Sequence, residues 1–377
     1  MKNTILRTGL ALGLIALFSS ASIASVSAQF IIPHSSPIFT TVYRNTDMLI
    51  FVSPQYAYDI EIRTAIESYI SAVKEDIGWN TRMVSLTQKN NEYQKIDQTI
   101  ERYYRLYKIK ACIMVGEDTD TAFGGDSDYM EKPSIVPWYT IGGVDAYEVS
   151  EQGIVSRPYE MDICISLMYP THDLDYQTKK SHIIAAFNKF SNQRYVGFDG
   201  DILVFESSDI NTNSEEMYKG LDEYGDLTYA EDASSMSLDG SYSMYYVHGH
   251  SIPAGTDVNA DDGGWFSADN VDELDTPFFG ADGCYVGGWW SDKSDNNVLD
   301  SSIDCSWYGS KIFTSKNVQV MVLGLLSQNG FSYPVSFIEN AVPDLLDGAT
   351  LAESMIGHTY VGDNVLVYGD PTFHYTF

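Results

Sequence analysis

Short, unbroken apolar runs alternate along this chain with longer stretches in which apolar residues return every three or four positions. Residues 48–52, 82–86 and 111–115 are of the first kind and predict buried strands. Between them, residues 60–77 carry Ile62, Ile66, Tyr69, Ile70, Val73 and Ile77 at helical spacing and stop at Gly78; residues 93–107 predict a second helix. Strands alternating with amphipathic helices predict an α/β fold, a mostly parallel sheet with helices on both faces. After a loop over 119–157 rich in Gly, Asp and Pro, the pattern resumes with a strand at 162–168 and a helix at 176–195. A strand at 201–205 opens a second α/β unit, which continues through an acidic helical stretch at 215–224 and apolar runs at 242–247 and 276–279. The run at 318–326 suits strand or helix equally; helices at 335–346 and 351–357 and a strand at 365–368 complete the series. No repeat or low-complexity linker interrupts it, so two subdomains are expected, 29–197 and 198–377, sharing a long interface.

The start of the chain has a different character. Lys2 and Arg7 precede an apolar run at 9–18, and Val26 and Ala28 suit a cleavage after Ala28, so residues 1–28 read as a signal peptide. Cleavage leaves 349 residues (377 minus 28), with an uncleaved anchor as the alternative. No later stretch reaches the roughly 18 apolar residues of a membrane span, so the expectation is a secreted or periplasmic protein with no membrane span after signal cleavage.

Composition narrows the partners. With 44% hydrophobic and 20% charged residues the chain can build a real core. Its 52 Asp and Glu against 22 Lys and Arg leave a net charge of −30, which repels nucleic acid and supplies oxygen ligands for divalent cations. Four cysteines do not make a disulfide scaffold. Cys112 and Cys164 sit in apolar runs, as buried small hydrophobes or as one pair bridging adjacent strands.

Candidate chemistry gathers where apolar strands end in glycine-rich turns, the usual place for functional groups in an open α/β sheet. Ser243-Met-Tyr-Tyr-Val-His248-Gly249-His250 runs a strand into histidine and glycine, and Thr276-Pro-Phe-Phe-Gly-Ala-Asp-Gly283-Cys284 runs another into small residues and a cysteine. A thiol needs a base to become a nucleophile, an imidazole supplies one, and the same ring then protonates a leaving amine. For Cys284 the alternative is a disulfide to Cys305 or a buried thiol. His248 and His250 share strand parity, so phase does not choose between them.

These two segments resemble the caspase-like cysteine peptidases, and within that clan the gingipain family of exported bacterial peptidases. Lys110-Ala-Cys-Ile-Met-Val-Gly116-Glu-Asp118, Glu160-Met-Asp162-Ile-Cys-Ile-Ser166 and Val365-Leu-Val-Tyr-Gly369-Asp370-Pro371 add to the match, which covers about residues 45–377. Gly283 stands where many members have Ala. The resemblance implies a caspase/gingipain-like fold of two subdomains and cysteine endopeptidase activity on protein or peptide substrates through an acyl-enzyme. It implies Cys284 as nucleophile, His248 as general acid/base and Asp162 as the acid that orients His248. It also implies an oxyanion hole from the N–H groups of Gly249 and Cys284. No cofactor is needed for that chemistry. The family pattern favours His248 over His250, leaving His250 as a substrate contact. Asp173 is a candidate for the specificity pocket or a solvated loop carboxylate, and Trp289 and Trp290 for a substrate groove or for packing under loops, as Trp265 is. The family's bound calcium has a candidate in Asp257-Val-Asn259-Ala-Asp261-Asp262-Gly263, where Asp257, Asn259 and Asp261 offer oxygen ligands at alternating positions. Asp126-Ser-Asp128 and residues 292–297 are further acidic candidates. The competing reading of the whole chain is a catalytically inactive peptidase-like domain that works as a secreted or surface binding protein.

Overall fold

The computed structural model describes residues 45–87, 89, 93–116, 160–171, 174–207, 218–230, 238–252, 254–259, 264–283, 286, 307–324, 337–359 and 365–377. The expected signal peptide, the 119–157 loop, Asp173, Asp261, Cys284, Trp289, Trp290 and Cys305 lie outside the described residues.

In chain order the strands are β1 (Met48–Val52), β2 (Thr81–Ser85), β3 (Ala111–Val115), β4 (Cys164–Met168), β5 (Val196–Gly197), β6 (Asp201–Glu206), β7 (Asp226–Ala230) and β8 (Met244–His248). They continue with β9 (His250–Ile252), β10 (Gly255–Asn259), β11 (Gly264–Ser267), β12 (Phe278–Asp282), β13 (Val320–Gly324), β14 (Val365–Gly369) and β15 (Tyr375–Thr376). The helices are α1 (Ile60–Asp76), α2 (Tyr93–Tyr107), α3 (Tyr176–Asn192), α4 (Lys311–Thr314), α5 (Val342–Leu346) and α6 (Leu351–Met355).

Among the described residues ten strands form one sheet in the order β2-β1-β3-β4-β14-β13-β12-β8-β6-β7. Every neighbouring pair is parallel except β13 and β14. That antiparallel seam divides the sheet into two parallel sets whose carboxyl ends face opposite edges. The expected boundary near residue 197 does not interrupt the sheet, since β14 supplies the neighbour of β4 from far downstream. The fold is thus α/β, built on a large, mostly parallel sheet.

Local sequence explains the elements. β1, β3, β4, β8, β12, β13 and β14 are buried along their whole length, as strands with both faces covered must be, and their sequences are near-continuous apolar runs. Asp59 caps α1 by accepting from the N–H groups of Glu61 (2.9 Å) and Ile62 (3.2 Å), and Asp175 caps α3 in the same way. The apolar stripe of α1 brings Tyr69 against Phe187 and Phe190 of α3, with ring centroids 5.4 and 6.2 Å apart.

Some elements differ from expectation. The ambiguous run at 318–326 yields the strand β13. The described part of the acidic stretch at 215–224 is helical, α at Tyr218 and Lys219 and 3-10 over Gly220–Glu223. β7 escapes the apolar pattern because alternate residues are exposed at the sheet edge. So do β9, β10 and β11, a small antiparallel sheet inserted between β8 and β12. Cys112 and Cys164 are free and buried; the registers Cys112↔Ile165 and Ala111↔Cys164 put their side chains on opposite faces of the sheet, which excludes a bridge.

A buried polar lock closes the chain's Gly369-Asp370-Pro371 segment. The Arg194 guanidinium donates to Asp76 Oδ2 (2.9 Å), to Asp370 Oδ2, to Thr372 Oγ1 (2.9 Å) and to the Thr372 carbonyl (3.1 Å). Tyr69 donates its hydroxyl to Asp370 Oδ1, so α1, the end of α3 and the residues after β14 meet at one point. Among the described residues no helix is long and apolar enough to cross a membrane.

Candidate active site

β8 and β12 are adjacent and parallel, and their register runs from Phe278↔Met244 to Asp282↔His248. On the other side, Glu206 ends β6 at the same level, as the register partner of His248. Register partners share a face, so a carboxylate, an imidazole and a second carboxylate form a row across three strand ends. All three are nearly inaccessible, at 5%, 2% and 0% exposure for Glu206, His248 and Asp282. Three polar side chains in an apolar sheet need partners there.

Each has them. Nδ1 of His248 is in direct contact with Asp282 Oδ1, and Nε2 lies 3.8 Å from Glu206 Oε1. Asp282 Oδ2 accepts from the hydroxyls of Tyr218 (2.8 Å) and Tyr246 (3.0 Å), and Tyr229 donates to Glu206 Oε2. Tyr246 reaches Asp282 because Gly280 leaves room: a Cβ there would lie 2.1 Å from the Tyr246 ring. The Tyr218 ring covers this face, with its centroid 5.9 Å from the His248 ring and 5.5 Å from that of Tyr246. On the opposite face Tyr245, Phe266, Phe279 and Tyr308 stack and hold the same two strands from behind.

Burial pulls the His248 pKa down from 6.5 to about 3, and His250 adds to the shift. The ring is therefore neutral at pH 7. The contact with Asp282 assigns its proton to Nδ1, because a carboxylate oxygen accepts and the ring nitrogen facing it must donate. Nε2 is left as the basic nitrogen. If it takes up a proton, Asp282 and Glu206 flank the resulting cation.

The chain beyond the two strands also converges. Gly249 N–H donates to the Asp282 carbonyl at 3.3 Å. Gly283 has φ +147°, and a Cβ on it would lie 2.2 Å from the Gly249 carbonyl oxygen, so the backbones after His248 and before Cys284 are packed without space for a side chain. An oxyanion at the N–H of Gly249 has to compete with the Asp282 carbonyl for that donor.

The other expected residues are placed as follows. Asp162 precedes β4 and accepts from Tyr104 OH at 3.4 Å. It lies on the same sheet edge as His248 but four strands away, roughly 19 Å at the usual strand spacing. The structure does not bring it to the imidazole, and the carboxylate that touches the ring is Asp282. His250 is exposed and begins β9, so the chain leaves the main sheet between the two histidines, at Gly249. Trp265 is exposed on β11. Asp257 and Asn259 lie on β10, where Asp257 is the register partner of His250 and Trp265. That gives the described part of the calcium segment one carboxylate on a paired strand, against the about six to eight oxygens that calcium takes. Among the described residues no group of three or more His, Cys, Asp and Glu could hold a metal ion.

Asp282 and Glu206 are not among the residues that the sequence motifs single out. Both close an apolar strand with a carboxylate, as His248 closes one with an imidazole, and that shared position was the available signal. No protein-family model matches this chain, and no curated protein matches it.

Proposed function

We propose that this chain is an exported cysteine endopeptidase of the gingipain type, with a caspase-like arrangement of its strands. The observation that carries the reading is the register of β8 against β12: a neutral, oriented imidazole ends one strand, and Cys284 follows two residues after its register partner on the next. Two residues of chain span at most roughly 7 Å, so covalent reach is compatible with the proposed meeting of thiol and ring. In the proposed reaction the Cys284 sulfur attacks the scissile carbonyl carbon while its proton passes to Nε2 of His248, and the carbonyl electron pair moves to oxygen. The adduct collapses, the proton goes to the departing amine, and a thioester remains. Water then gives a proton to the same nitrogen as it attacks the thioester, and the sulfur leaves and regains that proton.

Casein hydrolysis by wild type and Cys284→Ala tests this. The variant should lose activity by a factor on the order of 10³ or more, and an unchanged rate refutes the reading. Iodoacetamide should modify native Cys284 and spare Cys112 and Cys164, which are buried and whose thiol pKa values burial raises. One observation favours a second reading, a peptidase-like binding domain without activity: His248 is only 2% exposed. That reading expects a native Cys284 that resists alkylation, as it would if bridged to Cys305.

A further inference from the structure

We infer that Asp282, held by Tyr218 and Tyr246, is the positioning residue for His248, in the place where the family pattern puts Asp162; the inference rests on the peptidase reading above. The geometry is local and complete. Asp282 and His248 are register partners on adjacent parallel strands, so their side chains leave the sheet on one face at one level. One carboxylate oxygen is in contact with Nδ1, and the other accepts from two tyrosine hydroxyls at 2.8 and 3.0 Å. With both oxygens tied, the carboxylate cannot rotate away, and the imidazole keeps one tautomer and one orientation. Gly280 belongs to this device, because the Tyr246 ring occupies the place of its missing side chain.

The remaining groups that face the ring do not replace Asp282. Glu206 on β6 stands 3.8 Å from Nε2, the nitrogen that must stay open to the thiol proton, and Tyr229 of β7 donates to that carboxylate. His250 is on β9, on the far side of Gly249. Asp162, four strands distant, is bonded by Tyr104 instead.

The sign of the pH response distinguishes positioning from a merely structural role. Asp282→Asn removes the charge that stabilises the imidazolium, so the pH limb set by the ring moves to lower pH. Tyr246→Phe removes a donor from the carboxylate, leaves its charge less compensated, and moves the same limb to higher pH. The experiment is steady-state hydrolysis of a peptide substrate across pH by the full chain, with Asp282→Asn, Tyr246→Phe and Asp162→Asn compared. For Asp282→Asn the inference expects kcat to fall on the order of 10²–10⁴-fold with KM within about threefold. It expects the opposite limb shift in Tyr246→Phe, and a kcat loss in Asp162→Asn at least about tenfold smaller than in Asp282→Asn. If Asp282→Asn does not fold, the limb shift in Tyr246→Phe decides: an upward shift supports the inference and an unmoved limb overturns it. A kcat for Asp282→Asn within about threefold of wild type, while Cys284→Ala is inactive, overturns this inference and leaves the peptidase reading intact. A Cys284→Ala variant as active as wild type overturns both.

Discussion

Replacing Arg194 by Met removes the cation around which the Gly369-Asp370-Pro371 segment is folded, while keeping a side chain of similar reach. The change deletes donors to Asp76, Asp370 and Thr372 and leaves two carboxylates at 6% and 0% exposure without their counter-ion. Breaking a buried pair by deleting one partner costs about 3–5 kcal/mol. Asp370 keeps Tyr69 OH, Thr372 N–H and Thr372 Oγ1 as donors, so the middle of that range, about 4 kcal/mol, is the expectation. The compact unit Asn45–Phe377 has 333 residues (377 minus 44). At about 2.1 cal/mol/K per residue its unfolding entropy is about 0.7 kcal/mol/K, and 4 kcal/mol becomes a fall in Tm of roughly 6 °C. Thermal melts followed by circular dichroism measure this. The reference is Arg105→Met, which breaks the exposed pair with Glu101 and should move Tm by less than about 1 °C. Arg194 lies after α3, at the edge opposite the His248 row, so Arg194→Met assayed well below its melting point should keep wild-type kcat. A Tm within about 1 °C of wild type, or no larger a shift than in Arg105→Met, refutes the argument that the lock is a buried ion network.

Two further outcomes are expected. Gly283→Ala places a Cβ 2.2 Å from the Gly249 carbonyl oxygen at φ +147°, so it should cost about 1–3 kcal/mol of stability in urea unfolding and separate the two strand ends; an alanine variant as stable and active as wild type contradicts the packing described. For pH, the folded His248 ring stays neutral down to about 3 while an unfolded one takes up a proton near 6.5. The unfolded chain binds more protons in that window, so this ring's contribution to stability is lost as pH falls from about 6.5 toward 3. Asp97 works the other way, because burial and Glu101 raise its carboxyl from 3.8 to about 6. The measurement is therefore the difference in denaturant stability between wild type and His248→Gln across that range; a difference independent of pH contradicts a buried neutral ring.

The sequence made the parallel sheet legible because its central strands are buried on both faces and therefore apolar without interruption. β1 and β3 fall within the runs at 48–52 and 111–115, and α2 within 93–107. β7 was hidden because an edge strand keeps alternate residues in solvent, so Asp226-Leu-Thr-Tyr-Ala230 lacks the signature. The histidine pair shows a different limit. His248 and His250 have equal parity only if one strand carries both, and the change of sheet at Gly249 is a matter of three-dimensional path. Asp282 is illegible for a related reason: its meaning depends on β8 being its neighbour, and strand order is not written in local periodicity. Asp162 illustrates the converse, since its short motif carried no information about how many strands would come to lie between it and the imidazole.

The antiparallel seam has a bearing on how such a molecule comes into being. A ribosome delivers β4 about two hundred residues ahead of β14, yet no other described strand pairs with the open side of β4. Until residues 365–369 emerge, β4 and β13 both remain bare edges, inviting wrong partners. Completion of the sheet is therefore a late, long-range event that joins both halves at once, and a nascent chain must be kept from associating until that wedge arrives.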